Sequence, residues 1–113
     1  MRARRKDANQ SELVAVYRAN GISVVVLAEE SLDLLVGCRG ISDLVEVKDG
    51  KKSASRQKLT PAETELHASW RGAPIRLVTS IDDVLRHVAD LHRRAEWQAN
   101  GRLACDIPRV NLR

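Results

Sequence analysis

Apolar positions along this chain fall into two spacings and one unbroken run, and each predicts a different element. Leu13, Val16 and Tyr17 recur at helical spacing behind the polar stretch Asp7 to Glu12, and Asn20-Gly21 supplies a stop, so a first helix of about fourteen residues is expected. Ile22 to Ala28 is an apolar, largely β-branched run, the pattern of a strand buried on both faces. Leu32 to Cys38 and Asp43 to Asp49 read as two further strands around Arg39-Gly40-Ile41-Ser42, whose glycine suits a tight hairpin. Thr60-Pro61-Ala62-Glu63 is a helix start, with Thr60 as N-cap, Pro61 in the first helical position and Glu63 closing a capping box. That second helix carries Leu66 and Trp70 on one side and is expected to end near Gly72. Ile75 to Thr79 is a fourth strand, and Ser80 caps a third helix in which Ile81, Val84, Leu85, Val88 and Leu91 keep a helical period, as far as Asn100-Gly101.

The order helix, three strands, helix, strand, helix predicts a single α/β domain over residues 1–113. A basic arm, residues 1–6, precedes it, and residues 102–113, with Pro108 and no clear period, form a tail. The longest largely apolar run, Ile22 to Ala28 with Ser23 within it, is far short of the roughly 18 residues a spanning helix needs, and no apolar region follows the basic start. Cys38 and Cys105 lie far apart without Cys or His at zinc-ligand spacing, so they read as free thiols. A cytoplasmic protein with no membrane contact is expected.

Composition narrows the partners. Hydrophobic residues at 43% and charged residues at 30% suit a globular domain, but the only aromatic rings of the Phe, Tyr and Trp type are Tyr17, Trp70 and Trp97. Base-stacking platforms are therefore poorly supplied, which argues against a single-strand RNA-binding sheet. The net charge of +4 attracts polyanions, and its distribution is uneven. Arg2, Arg4, Arg5 and Lys6 crowd the start, while Lys51, Lys52, Arg56 and Lys58 fill a polar loop after the third strand. These residues, with Arg39 in the hairpin, are the candidates for phosphate contact.

Asp33, Glu46 and Lys48 carry the candidate chemistry. Side chains alternate along a strand, so Glu46 and Lys48 share one face while Val45 and Val47 point to the other. If Arg39-Gly40 is a two-residue hairpin loop, position 38 pairs with 41, and counting outward sets Asp33 opposite Glu46. Opposed Cβ atoms lie about 4.5 to 5.5 Å apart, close enough for two carboxylates to share a cation. A loop shifted to Gly40-Ile41 would set Asp33 opposite Lys48, and a one-residue slip between the two would part the group. Oxygen ligands without a Cys or His cluster point to Mg²⁺ or Mn²⁺. Glu12, in the first helical turn, is a further candidate that could reach a metal through water, or could simply complement the helix dipole.

These residues resemble the PD-(D/E)XK nuclease superfamily, and within it the small virus-type replication-repair nucleases and phage Holliday-junction resolvase-like proteins. The resemblance rests on Leu32-Asp33-Leu34-Leu35-Val36-Gly37, on Leu44-Val45-Glu46-Val47-Lys48-Asp49-Gly50, and on Leu59-Thr60-Pro61 opening a helix. It implies a restriction-endonuclease-like αβββαβ core, with a central mixed four-stranded sheet flanked by helices and followed by a C-terminal helix and tail. It also implies an endodeoxyribonuclease of DNA repair or recombination in a bacterial or phage-infected cell. Asp33, Glu46 and the carbonyl of Val47 would bind Mg²⁺, Glu12 would assist, and Lys48 would orient or help deprotonate the attacking water. Branched or duplex DNA would be the partner, and paired cuts at a junction would need a homodimer. Leu32 stands where that family usually has proline. Its relatives often carry glutamine at the start of the helix after the third strand, where this chain offers Glu63 or the earlier Gln57. Two other readings are a non-catalytic nucleic-acid-binding module on the same fold, and a regulatory protein whose basic loop and tail grip another protein.

Overall fold

The computed structural model describes residues 9–29, 31–48 and 59–104, with side chains as far as Gly101. Helix α1 (Gln10–Ala19) stops at Asn20, and Gly21, at φ 79°, turns the chain so that Ile22 can enter the core. Strands β1 (Ser23–Val26), β2 (Leu34–Cys38) and β3 (Ile41–Val47) follow, then α2 (Pro61–Ser69), β4 (Arg76–Val78) and α3 (Ile81–Ala104). The sheet order is β1-β2-β3-β4, antiparallel through the first three strands and parallel between β3 and β4, which α2 connects. The mixed four-stranded sheet and the element order are as the sequence implied.

Cys38 pairs with Ile41 and Leu34 with Val45, the register that a loop of Arg39-Gly40 requires. Both loop residues have positive φ, 49° and 93°, the backbone of a primed two-residue turn that follows the sheet's twist.

The core lies between the sheet and the pair α1 and α3. Leu13, Val14 and Tyr17 of α1 and Val84, Val88 and Leu91 of α3 pack on Val24, Leu34, Val36, Val45, Val47 and Val78. Asp43 shares this inward face, because it lies on the same side of β3 as Val45 and Val47. Its buried carboxylate is fully engaged: His87 Nε2 lies 2.6 Å away, His87 Nδ1 lies 2.6 Å from the Tyr17 hydroxyl, and Arg94 donates from both terminal nitrogens. Burial alone would raise the Asp43 carboxyl, but hydrogen bonds from His87 and Arg94 outweigh it and hold the group below its ordinary value.

The opposite face is only partly covered. Helix α2 stands over its end near Lys48, and Val25, Leu35 and Leu77 are exposed. This corrects the expectation that Ile22 to Ala28 is a strand buried on both faces. β1 is a four-residue edge strand whose Val24 alone is buried. The second helix also ends earlier than expected, at Ser69, and Trp70 is its exposed C-cap instead of a packing residue.

Candidate active site

Asp33 sits one residue before β2 and is fixed by its own backbone. Its amide donates to the Val45 carbonyl at 3.2 Å and its carbonyl accepts from the Leu27 amide at 2.8 Å. Its Oδ2 accepts from the Val47 amide at 2.8 Å, so the carboxylate caps the end of the β2–β3 ladder. Continuing the observed register places Asp33 opposite Glu46, the arrangement counted from the hairpin. Strand residues send their N–H and C=O toward the same neighbour. Since the Val47 amide points to Asp33, its carbonyl lies on that side too, beyond the last ladder bond.

Glu46 is 1% exposed, and among the described residues its Oε1 has no hydrogen-bond partner. Burial, the adjacent Glu63 carboxylate and the charge of Asp33 push its carboxyl up to about 10, because none of these tolerates a further buried anion. Lys48 leaves the end of β3, where its amide donates to Val78 at 2.9 Å, and its ammonium lies 3.8 Å from Glu46 Oε2 and 3.0 Å from Glu63 Oε1. The same Glu63 oxygen accepts from the Thr60 amide at 2.8 Å, completing the capping box that starts α2. Burial would raise the Glu63 carboxyl, but contacts with Glu46, the Thr60 amide and Lys48 outweigh it and hold Glu63 below its ordinary value. The site therefore holds a neutral Glu46 beside an ionised Glu63 paired with Lys48.

Among the described residues, no three His, Cys, Asp or Glu side chains form a metal-ligating group. A cation here would take two carboxylates, a backbone carbonyl and water, a donor set that suits Mg²⁺ or Mn²⁺. The partnerless Glu46 Oε1 fits such a role, because a buried carboxylate oxygen without a hydrogen bond is costly unless something charged completes it.

The structure brings Asp33, Glu46, Lys48 and Glu63 together. Glu12 is exposed in the first turn of α1 and makes none of the contacts described for the site. The buried polar residue at that helix start is Gln10, and its half-buried neighbour Asn9 sets Nδ2 3.5 Å from the Lys48 carbonyl and 3.3 Å from the Thr79 carbonyl, pinning α1 to the ends of β3 and β4. No sequence pattern announced Asn9. Arg39 stands at the far end of the hairpin and pairs with Glu96 at 3.2 Å. Arg4, Arg5, Lys6, Lys51, Lys52, Arg56, Gln57 and Lys58, like Cys105, lie outside the described residues. Comparison with protein-family models, with curated proteins and with solved structures found no match.

Proposed function

We propose that this chain is a Mg²⁺-dependent DNA endonuclease of the PD-(D/E)XK kind, hydrolysing phosphodiester bonds in branched or duplex DNA. The observation that carries the reading is the buried Glu46 carboxyl, whose Oε1 has no hydrogen-bond partner among the described residues, opposite Asp33 when the β2–β3 register is continued by one residue and 3.8 Å from the Lys48 ammonium. A purely structural sheet would gain nothing from burying two acids and a lysine in one corner. Asp33, Glu46 and the Val47 carbonyl would hold the ion, which when bound supplies a polarised phosphoryl oxygen and charge stabilisation at the leaving oxygen. Lys48 orients the attacking water and offsets charge on the phosphate. Glu12, on the exposed side of α1, would contribute through water only.

The basic segments at the start of the chain and just after Lys48 in sequence are suited to holding the DNA backbone without reading bases, so selectivity follows DNA shape. A four-way junction is the first substrate to try, acted on by a homodimer. The test is a panel of labelled four-way junction, flap and linear duplex with Mg²⁺, Mn²⁺ or EDTA, scored for both binding and cutting. Metal-dependent cutting that fails for Glu46→Ala while binding persists is the expected result. Salt-sensitive binding without cutting of any of the three would favour the non-catalytic module, and absence of both would favour a protein-binding role.

A further inference from the structure

Among the described residues, the Lys48 ammonium pairs with Glu63 at 3.0 Å and with Glu46 at 3.8 Å, so the nearer of these two acids is not the candidate metal ligand. Glu63 is 3% exposed and cannot drift, because the oxygen that meets Lys48 also accepts from the Thr60 amide in the helix cap. An ammonium and a divalent cation are rivals for one carboxylate. If Glu46 were the sole acid paired with Lys48, then on ionising to take a cation it would draw the ammonium as well, and the cation would have to displace it.

We propose that Glu63 is the counter-ion that holds Lys48 off Glu46, so that a divalent cation and the lysine occupy the site together. The proposal rests on the nuclease reading of this corner and adds a positioning residue to it. Of the two side chains the sequence offers after β3, Glu63 touches Lys48 directly, and Gln57 lies outside the described residues. Glu63 needs no contact with metal or DNA for this role. It works by supplying a fixed second anion from α2, so that cation binding at Glu46 leaves the lysine where it stands.

Mn²⁺ binding to the metal-free protein, followed by the electron paramagnetic resonance of the free ion, tests this without relying on DNA cleavage. Glu63→Gln keeps an oxygen for the Thr60 amide but removes the charge, and it is expected to weaken Mn²⁺ binding about tenfold as Lys48 turns to Glu46. Lys48→Ala alone is expected to change affinity less than about threefold, whereas adding it to Glu63→Gln restores most of the loss, a non-additive cycle. Thr60→Ala removes the cap hydroxyl and leaves both charges, so it binds Mn²⁺ as the wild type does. An additive cycle, or an equal loss in Thr60→Ala, overturns the counter-ion role and leaves Glu63 a helix cap. A wild type that holds no Mn²⁺ at millimolar concentration defeats the cation site itself, a result distinct from an additive cycle.

Discussion

Glu46→Gln is expected to melt at a higher temperature than the wild type in metal-free buffer at pH 8, and to cut no DNA. The reason is the proton that Glu46 must carry. In the unfolded chain this carboxyl ionises near its ordinary value of 4.5, whereas the fold pushes it up to about 10, chiefly through burial and then through Glu63 and Asp33. Between those values the folded state binds the extra proton, so the wild type loses stability as pH rises. At pH 7 the penalty is about 3 kcal/mol, from 1.36 kcal/mol for each unit above 4.5. Glutamine is neutral in both states and removes that slope. Thermal melts from pH 4.5 to 9 should show the two proteins nearly equal at the acid end and diverging as pH increases. Parallel curves would mean that Glu46 is not held neutral. A residue whose removal stabilises the fold serves some purpose other than stability, and under the proposed nuclease reading that purpose is to hold a cation.

The second large effect concerns the opposite face of the same strand. Asp43→Ala is expected to cost about 3 to 5 kcal/mol, because it leaves the fully buried His87 without its Nε2 partner, breaks the chain to Tyr17 and takes from Arg94 its bidentate anchor, leaving it, among the described residues, only Asp90. For a domain of this size that corresponds to a fall in Tm of well over 10 °C, with about 4 to 8 °C lost per kcal/mol. The pH signature is opposite in sign to that of Glu46. Asp43 is held below its ordinary value, so its contribution is full above about pH 4 and is lost as pH falls further. Together the two carboxyls predict a stability maximum for the metal-free wild type in mildly acid solution, between about pH 4 and 5. In Asp43→Ala the steep acid limb should flatten. If the variant melts within a few degrees of the wild type, the buried network is not what ties α1, β3 and α3 together.

Much of this site was legible because strand geometry is rigid. Of the two hairpin loops the sequence allows, the structure has Arg39-Gly40, with Cys38 against Ile41 and Leu34 against Val45, and the same register continued by one residue sets Asp33 against Glu46. The capping box at Thr60 and Glu63 was equally readable, since it depends on neighbours in sequence. The link from Glu63 to Lys48 was not, because it joins two elements across a stretch of sequence that no local rule spans. Asp43 was a missed clue: its parity with Val45 and Val47 puts a carboxylate on the core face. His87, one position before Val88 in the apolar stripe of α3, was the partner to look for. β1 was misjudged because an apolar run records only that some cover exists, not whether it lies on one side or both. Glu12 and Gln10 lie in one helical turn, and only the docking of α1 through Asn9 decides which of them is buried.

The central claim is that Asp33, Glu46 and Lys48 form a hydrolytic metal site. Single-turnover cleavage of an end-labelled four-way junction, with wild type and Lys48→Ala compared in Mg²⁺ and in EDTA, tests it most directly. Cutting by the wild type in Mg²⁺ alone, reduced at least about a hundredfold in Lys48→Ala with junction binding intact, is the predicted result. Equal rates in the two proteins, or cutting that persists in EDTA, would contradict the account.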